Sequence, residues 1–274
     1  MILYPSSKIN LGLYVVSRRK DGFHSIQTLF YPLGLRDILE FVPITDNESE
    51  ADSLSLSGLE IPGSMDDNLL LIACKLFREQ VAVPYFRIHL HKRIPMGAGL
   101  GGGSSDAVFL LRGLNSKYGD LLSRKELGAI ALKLGSDCPY FLCSGPSLGK
   151  GRGELLESFE MRLAGYHFYL FSPGVHVSTK AAYRGVELYS GETHLEQVLE
   201  GKPESWRGKL INSFESTVFR QFPEIAELKK EIYDSGAVYA SMSGSGSAVY
   251  GLYTDSQELP DGLKSQLIWT EVLQ

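Results

Sequence analysis

The sequence lacks the marks of several protein classes. It has only three cysteines, Cys74, Cys138 and Cys143, so we expect no disulfide framework and a reduced, cytoplasmic setting. It has no run of about 18 apolar residues and no basic, apolar leader, so we expect neither a membrane partner nor a signal peptide. Its net charge of -5 lacks the basic excess of bulk nucleic-acid binding, so we expect no nucleic-acid partner. The class that remains is that of globular proteins. A chain of 274 residues is long enough for one large domain or two modest ones.

The chain also lacks a P-loop, although it has a glycine-rich loop. Residues 95–106 read Pro-Met-Gly-Ala-Gly-Leu-Gly-Gly-Gly-Ser-Ser-Asp, and no lysine lies between Arg93 and Lys117. A P-loop needs Gly-Lys-Ser/Thr, so that interpretation fails. Five glycines in seven positions nevertheless leave the backbone N–H groups bare. The apolar run Ala107 to Leu114 predicts a following helix, whose positive N-terminal end favours anions. The pattern therefore predicts a phosphate-binding loop rather than a flexible linker.

The residues around the loop predict a strand before it and a helix after it. Phe86, Ile88 and Leu90 alternate with polar residues, which is the period of a half-buried strand. After the loop, Ser104 or Ser105 suits the N-cap of the helix. The order strand, glycine loop and helix is thus expected.

A dinucleotide-binding loop is the main alternative. Gly97, Gly99 and Gly102 match its glycine spacing, and Asp120 lies at about the distance of its acidic residue. That residue should end a second apolar strand, whereas residues 115–119 read as a turn. A nicotinamide-dependent oxidoreductase is therefore the less favoured alternative.

Other local signals indicate a mixture of helices and strands. We expect a helix capped by Asn68 that runs to about Gln80, and a helix begun by a capping box of Ser123 and Glu126. A strand is expected over 167–171 and a helix over 223–235. The region 144–153 is rich in glycine and turns, and we place the domain boundary there, with domains 1–150 and 151–274.

Three motifs in the chain resemble those of the GHMP kinases, the superfamily of galactokinase, homoserine, mevalonate and phosphomevalonate kinases. Ser7-Lys8-Ile9-Asn10-Leu11 resembles the first motif, and the glycine loop resembles the second. Met242-Ser243-Gly244-Ser245-Gly246-Ser247-Ala248 resembles the third. The three motifs follow one another along the chain in the same order as in the family, so the resemblance spans nearly the whole chain. It implies an α+β, two-domain GHMP kinase fold with the nucleotide cleft between the domains. It also implies ATP as phosphoryl donor and Mg²⁺ as its metal.

Further segments resemble one branch of this superfamily. They are Asp21-Gly22-Phe23-His24, Gln27-Thr28-Leu29-Phe30, Asp67-Asn68-Leu69, Gly101-Gly102-Gly103-Ser104-Ser105 and Ser136-Asp137-Cys138-Pro139-Tyr140-Phe141. Members of that branch phosphorylate the 2-hydroxyl of 4-diphosphocytidyl-2-C-methyl-D-erythritol in the non-mevalonate route to isoprenoid precursors. The chain departs from it at Ser7, Phe23 and Cys138, where alanine, tyrosine and valine are common. None of these changes removes a polar group that the chemistry needs.

The resemblance implies a role for individual residues. Lys8 is the cation that assists phosphoryl transfer, and Asp137 is the base or orienting group for the acceptor hydroxyl. Ser104 or Ser105 is a possible metal ligand, and both alternatives stay open. The implied ATP-binding residues are Asn68, Pro95, Met96, Gly97, Ala98, Gly99, Leu100, Gly101, Gly102, Gly103, Ser104 and Ser105.

The implied acceptor is a small cytidylyl molecule. Phe23 and Tyr183 match the positions of rings that hold a cytosine, and His24 matches the residue that hydrogen-bonds its edge. Flat rings and an edge-reading histidine suit a pyrimidine. Asn10 and Thr179 match residues that reach the diphosphocytidyl and erythritol parts. A homoserine or mevalonate type of kinase is the alternative, but those acceptors have no base for the rings to hold.

Overall fold

The computed structural model of the protein describes residues 1–45, 50–191 and 194–274. They group into two compact units. The first unit comprises Met1–Lys8, Pro32–Met96 and Gly101–Ser144, and the second comprises Ile9–Tyr31, Gly97–Leu100 and Gly145–Gln274. Each unit thus combines segments from separate parts of the chain. The domain boundary placed at residues 150 and 151 stays a prediction.

Helices and strands are mixed throughout the described ranges, which confirms the α+β class. The strands are β1 (Ile2–Leu3), β2 (Ser6–Arg18), β3 (His24–Arg36), β4 (Ile38–Pro43), β5 (Ser53–Gly58), β6 (Phe86–Lys92), β7 (Ser147–Lys150), β8 (Leu155–Ser158), β9 (His167–Phe171), β10 (Tyr239–Met242), β11 (Val249–Tyr253) and β12 (Leu267–Val272). The α-helices are α1 (Leu69–Arg78), α2 (Gly102–Lys117), α3 (Arg124–Leu134), α4 (Thr179–Tyr183), α5 (Leu195–Leu199), α6 (Glu215–Gln221), α7 (Pro223–Asp234) and α8 (Asp261–Gln266). Short 3₁₀ helices span Met65–Asp67, Cys138–Leu142 and Pro203–Ser205.

The first unit contains a four-stranded sheet in the order β1-β4-β6-β5. Ile88 in the middle of β6 lies opposite Phe41 of the antiparallel β4 and opposite Leu54 of the parallel β5. Phe86, Ile88 and Leu90 are all buried, which confirms the strand predicted from their alternation. Their side chains join those of α1, α2 and α3 in one hydrophobic core.

The helices of the first unit begin where their capping residues allow. Asn68 accepts a hydrogen bond from Leu70 N at 3.0 Å, which confirms the predicted start of α1, although the helix ends at Arg78. The capping box of Ser123 and Glu126 at the start of α3 is also confirmed. Side-chain oxygens satisfy backbone N–H groups that have no partner within the helix.

Helix α2 starts earlier than the sequence predicts. Its N-cap is Gly101 rather than Ser104 or Ser105, so that prediction is wrong. Gly101 has φ +70°, a left-handed conformation that costs glycine little, and its carbonyl accepts from Ser105 N at 2.9 Å. Because a glycine closes the turn through its backbone, the two serines lie within the first turns of the helix.

The second unit contains the antiparallel sheet β10-β11-β9-β12 and the sheet β2-β3-β7-β8. In the first of these, Leu170 of β9 lies opposite Tyr250 of β11. Side chains from its strands, together with residues of α4, α6, α7 and α8, form the second hydrophobic core. Strand β9 and helix α7 confirm the strand predicted over 167–171 and the helix predicted over 223–235. In the described part of the chain, no helix combines the length and the apolar character that crossing a bilayer would require.

Candidate active site

Lys8 and Asp137, the two predicted catalytic residues, lie side by side in the first unit. Lys8 is the third residue of β2, and Asp137 precedes the 3₁₀ helix Cys138–Leu142. Lys8 Nζ lies 3.7 Å from Asp137 Oδ2. Asp137 occupies the N-cap position of that short helix, but its side chain makes no capping hydrogen bond. Its carboxylate is therefore not used as a simple helix cap.

The two partners differ in their access to solvent. The Lys8 side chain is 3% exposed, whereas that of Asp137 is 41% exposed. Burial lowers the pKa of Lys8, and the charge and hydrogen bonding of Asp137 oppose this shift. The pair thus combines a buried amine with a carboxylate that a ligand can approach.

Gly101 of the glycine loop packs directly against Lys8 of this pair and against Phe141. A Cβ atom at residue 101 would lie 2.8 Å from Phe141 Cζ and 3.1 Å from Lys8 Cε. A side chain there would therefore displace Lys8 or Phe141, and the positive φ adds strain for any other residue. Directly after Gly101, the first N–H groups of α2 form a helix N-terminus, a site that suits phosphate.

A cavity of about 190 Å³ in the first unit lies beside the start of α2. It brings together Asn68, Met96 and Gly103, three of the residues implied to bind ATP. The remaining lining residues, which the sequence did not single out for this role, are Ile61, Pro62, Gly63, Ser64, Asp67, Leu69, Leu90 and Asp106. Mostly apolar walls with a few polar groups are typical of ligand sites, and this one suits a flat base.

A buried charge cluster supports the same part of the first unit. Lys92 Nζ lies 2.5 Å from Asp37 Oδ2 and 2.7 Å from Asp106 Oδ2, and all three residues are buried. Asp37 Oδ1 also accepts from Arg93 N at 2.5 Å and from Ile94 N at 2.8 Å, which fixes the chain as it leaves β6. Burial raises the pKa of Asp106, and Lys92 opposes the shift. Sequence reasoning missed this cluster, although the alternation of β6 places Lys92 on the buried face and was a usable signal.

The middle of the glycine loop, residues 97–100, lies in the second unit against the third motif. Ser243 Oγ donates to Gly99 O at 2.9 Å, and Ala248 N donates to Ala98 O at 3.2 Å. A Cβ atom at residue 99 would lie only 1.9 Å from Ser243 O, so glycine is required there. The side chains of Ala98 and Leu100 are buried, so these two residues can face a ligand only through their backbone. Pro95 and Met96 belong to the first unit.

His176 is a residue of this region that the sequence did not single out. A Cβ atom at residue 97, where φ is +64°, would lie 2.3 Å from His176 Nδ1. The imidazole thus packs on the bare backbone of Gly97. No sequence signal distinguished His176 from His167 or His194.

Three of the predicted acceptor residues lie in the second unit, Phe23 and His24 as neighbours in the chain and Tyr183 in contact with His24, and we call these three the aromatic cluster. His24 stacks on Tyr183 with 4.8 Å between ring centroids and 22° between planes, and Tyr183 packs edge-on against Phe214. Phe23 is 52% exposed, and the Arg152 guanidinium carbon lies 4.8 Å from its ring centroid. A half-open set of flat rings of this kind can hold a nucleobase.

The electrostatics of His24 favour its neutral form. Burial lowers the pKa of His24, and the positive charge of Arg18 lowers it further. Its Nε2 atom is buried and has no hydrogen-bond partner among the described residues. A neutral imidazole has one donor and one acceptor nitrogen, so it can read the edge of a base.

Asn10 and Thr179, the other predicted acceptor residues, are both held in the second unit by hydrogen bonds. Asn10 Nδ2 donates to Thr28 Oγ1 at 2.8 Å, and Thr28 Oγ1 donates to Gly12 O at 2.6 Å. Thr179 Oγ1 lies 3.2 Å from Ser245 Oγ of the third motif. The third motif therefore contacts the glycine loop and an acceptor residue within one unit.

Two segments of the chain match domain families, and relatives match nearly its full length. Residues 68–145 match the GHMP kinases N terminal domain, and residues 194–267 match the GHMP kinases C terminal domain. The 4-diphosphocytidyl-2-C-methyl-D-erythritol kinase of Porphyromonas gingivalis is 42% identical over 261 residues, which cover 94% of each chain. A crystal structure of 4-(cytidine 5'-diphospho)-2C-methyl-D-erythritol kinase has a TM-score of 0.79 at 34% identity and covers 98% of each chain.

A more distant structure shares the fold alone. The homoserine kinase of Cytophaga hutchinsonii has a TM-score of 0.65 at 20% identity, covering 92% of this chain and 86% of the other. The class is thus that of the GHMP kinases, enzymes that use ATP as phosphoryl donor to a small-molecule alcohol. At the identity and coverage of the closer relatives, the chain belongs to the 4-diphosphocytidyl-2-C-methyl-D-erythritol kinase family. The resemblance drawn from the motifs is confirmed, and the nicotinamide-dependent alternative is excluded.

Proposed function

We propose that this protein transfers the γ-phosphoryl group of ATP to the 2-hydroxyl of 4-diphosphocytidyl-2-C-methyl-D-erythritol. The observation that carries the proposal is the juxtaposition of Lys8, Asp137 and Gly101 in the first unit. Phosphoryl transfer needs alignment of donor and acceptor, neutralisation of charge and a group that handles the hydroxyl proton. A buried amine, an accessible carboxylate and a glycine-capped helix N-terminus meet these needs.

On this proposal, the donor is bound by the glycine loop and by the cavity beside α2. The N–H groups at the start of α2 hold the phosphates, and the cavity lined by Asn68, Met96 and Gly103 takes the base. The backbone of residues 97–100 completes the loop. Gly101, Gly102 and Gly103 leave room for phosphates, because none of them has a side chain.

Mg²⁺ is proposed as the metal that accompanies ATP. The described residues form no group of three or more His, Cys, Asp or Glu side chains suited to a metal ion. Mg²⁺ keeps several waters and takes ligands from substrate phosphates and few protein groups. Ser105 Oγ is buried without a partner among the described residues, and Ser104 is half-buried, so either hydroxyl can serve as a ligand. When bound, the ion neutralises charge on the phosphates.

The residues Lys8 and Asp137 are proposed to act together on the acceptor hydroxyl. Asp137 accepts or orients the proton of the 2-hydroxyl, since its carboxylate is accessible and makes no capping bond. The Lys8 side chain stabilises negative charge that develops on the transferred group. Their separation of 3.7 Å lets one ligand contact both side chains.

The aromatic cluster is proposed to hold the cytosine of the acceptor. Phe23 and Tyr183 offer ring faces, and the unpartnered Nε2 of His24 reads the edge of the base. Asn10 and Thr179 then contact the diphosphocytidyl and erythritol parts. The neutral state of His24 that burial favours suits this role.

An ATP-coupled assay with several alcohols tests the proposed acceptor. The value of kcat/KM for the cytidylyl alcohol should exceed that for homoserine or mevalonate by at least about 10²-fold. This factor corresponds to the upper end of the free energy that base stacking contributes. Turnover of homoserine or mevalonate in preference to the cytidylyl alcohol would contradict the proposal.

Truncating a stacking ring tests the acceptor site itself. Phe23→Ala should weaken acceptor binding by about 1–3 kcal/mol and leave ATP affinity nearly unchanged. Tyr4→Ala is a matched control, because Tyr4 is 53% exposed and belongs to the first unit. Equal loss of acceptor and ATP affinity in Phe23→Ala would exclude a specific role for this ring.

A further inference from the structure

Arg152 lies against the ring that the proposed function assigns to the base. It stands in the turn between β7 and β8, with its guanidinium carbon 4.8 Å from the Phe23 ring centroid. Phe23 itself lies in the turn between β2 and β3 and is 52% exposed. An arginine over an aromatic ring is an attractive cation–π contact. Part of the exposed surface of Phe23 is thus covered by a positive charge.

The turn that carries Arg152 is built to hold it in place. Gly151 and Gly153 have φ of +70° and +111°, which permits the tight reversal of the chain. Glu154 Oε2 accepts a hydrogen bond from Arg152 N at 2.5 Å, and Ile26 N donates to Gly151 O at 2.7 Å. The backbone of the turn is therefore fixed to β3, and the Glu154 carboxylate is turned toward the backbone.

The guanidinium keeps a donor that the described residues do not satisfy. Arg152 Nε is buried without a hydrogen-bond partner, and among the described residues no carboxylate forms an ion pair with Arg152. Buried polar groups are nearly always hydrogen-bonded, and an unmet donor on a charged group is costly. The position of this donor beside the acceptor cluster points to an anionic ligand.

The charges around the cluster agree with such a ligand. Arg18 lowers the pKa of His24, after the larger effect of burial, so a second cation acts on the residue next to Phe23. The Asp21 carboxylate accepts from Phe23 N and from Arg19 Nε in its own turn. The hydrogen bond from Phe23 N lowers the pKa of Asp21 most, and the charges of Arg19 and Arg152 lower it further, so Arg152 lies near this carboxylate without forming an ion pair with it. Two arginines near flat rings suit a molecule that joins a pyrimidine to phosphate groups, because arginine binds phosphate through parallel N–H donors.

We propose that Arg152 is a further acceptor-binding residue, whose guanidinium binds the diphosphate of the cytidylyl acceptor while packing on Phe23. This assignment rests on the proposed function, since it takes the aromatic cluster as the cytosine site. It adds a phosphate-reading group to residues that recognise only the base. The acceptor is then selected for its diphosphate as well as for its cytosine.

Calorimetric titration with cytidine and with CDP separates the two recognition elements. Both ligands are titrated with the donor site saturated by a non-hydrolysable ATP analogue, so that only the acceptor site responds. In Arg152→Met, the Kd for CDP should rise about tenfold or more, because charge-assisted hydrogen bonds to phosphate are lost. The Kd for cytidine should change by no more than about twofold, because cytidine has no phosphate and therefore loses none of these hydrogen bonds. A tenfold change in Kd corresponds to about 1.4 kcal/mol of binding free energy.

Two further variants sharpen the test. Arg162→Met removes the same charge from an exposed side chain, and it should leave both Kd values unchanged. Arg152→Lys keeps the charge but loses the planar guanidinium, so its Kd for CDP should lie between wild type and Arg152→Met. Thermal unfolding of each variant checks that the fold is retained.

The results distinguish failure of the Arg152 proposal from failure of the proposed function. An equal rise of both Kd values in Arg152→Met would mean that Arg152 only supports Phe23, and an unchanged Kd for CDP would remove any role in binding. Either result overturns the Arg152 proposal while the cytosine site stands. Failure of wild-type protein to bind cytidine and CDP at all would overturn the proposed function, and the Arg152 assignment with it.

Discussion

The first unit contains two lysine–aspartate clusters that share their chemistry and differ in their packing. In one, Lys92 contacts Asp37 and Asp106 at 2.5 and 2.7 Å, and the side chains are 0–3% exposed. In the other, Lys8 lies 3.7 Å from Asp137, whose side chain is 41% exposed. We call Lys92, Asp37 and Asp106 the closed cluster, and Lys8 with Asp137 the open pair. In the closed cluster, Asp37 also accepts a hydrogen bond from Ile94 N, whereas the carboxylate of the open pair makes no capping hydrogen bond and stays accessible. A carboxylate for proton transfer must remain reachable, as that of Asp137 does, whereas the carboxylates of Asp37 and Asp106 are enclosed, and Asp106 Oδ1 is buried without a hydrogen-bond partner among the described residues.

The largest expected effect comes from neutralising the open carboxylate. Asp137→Asn keeps the shape of the side chain but removes the charge that receives the proton. We expect kcat to fall by about 10²–10⁴, the usual contribution of a positioned base, with ATP affinity preserved. Steady-state kinetics and an ATP titration measure the two quantities.

The outcome for Asp137→Asn also tests the comparison. The free energy of unfolding should fall by less than the roughly 3–5 kcal/mol typical of a buried pair broken on one side, because Asp137 is 41% exposed although the buried Lys8 loses its counter-charge. A kcat above about a tenth of the wild-type value would mean that the carboxylate is not the base.

Breaking the closed cluster should affect stability instead. Lys92→Met leaves Asp37 and Asp106 buried together without a cation. We expect a loss of about 3–5 kcal/mol in the free energy of unfolding, as for other buried pairs broken on one side. Denaturant unfolding measures this loss, with Lys230→Met, at an exposed surface pair, as the control. A loss below about 1 kcal/mol would show that the cluster is no more important than a surface ion pair.

Substitutions in the glycine loop test ligand binding, whereas Asp137→Asn tests catalysis and Lys92→Met tests stability. A Cβ atom at Gly103 would meet only Met96 Cε and Leu69 Cδ1, at 3.8 and 3.9 Å, while one at Gly101 would crowd Lys8. Gly103→Val should therefore keep the fold and fill part of the cavity, weakening ATP binding by about 1–3 kcal/mol. Gly101→Val should lower kcat as well, since it also displaces Lys8. Normal ATP affinity in a folded Gly103→Val protein would remove the loop from the donor site.

The smallest expected effect is a pH dependence of stability in the closed cluster. Burial raises the pKa of Asp106 above its value in the unfolded chain, against the opposing effect of Lys92. The stability that its protonated form contributes is therefore full below the unfolded pKa of about 3.9 and is lost as pH rises through the folded pKa. Asp106→Asn should remove this dependence, so its stability relative to wild type should improve as pH rises. Parallel pH profiles for the two proteins would contradict this assignment.

The sequence predicted the local elements of the site better than its long-range contacts. Asn68, the alternation in β6 and the capping box of α3 depend on neighbouring residues, and each is confirmed. The start of α2 was missed, since a glycine in a left-handed conformation replaced the serine cap.

Contacts between distant residues needed more than local pattern. Lys8 and Asp137 were brought together by resemblance to a family, and the structure places them in contact. Nothing in the local sequence pairs Asp37 with Lys92, or His176 with Gly97, because each pair is joined only by the folded chain. The roles proposed for the individual residues in binding and catalysis stay predictions.

A double-variant cycle on the open pair tests the central claim most directly. That claim is that Lys8 and Asp137 act as one catalytic unit in a kinase for a cytidylyl alcohol. The values of kcat for Lys8→Met, Asp137→Asn and the double variant are measured with that acceptor at saturating ATP. Because residues of one catalytic unit are non-additive, the double variant should be little slower than the slower single variant. A double variant whose loss equals the product of the two single losses would show that the residues act independently, and would contradict the account.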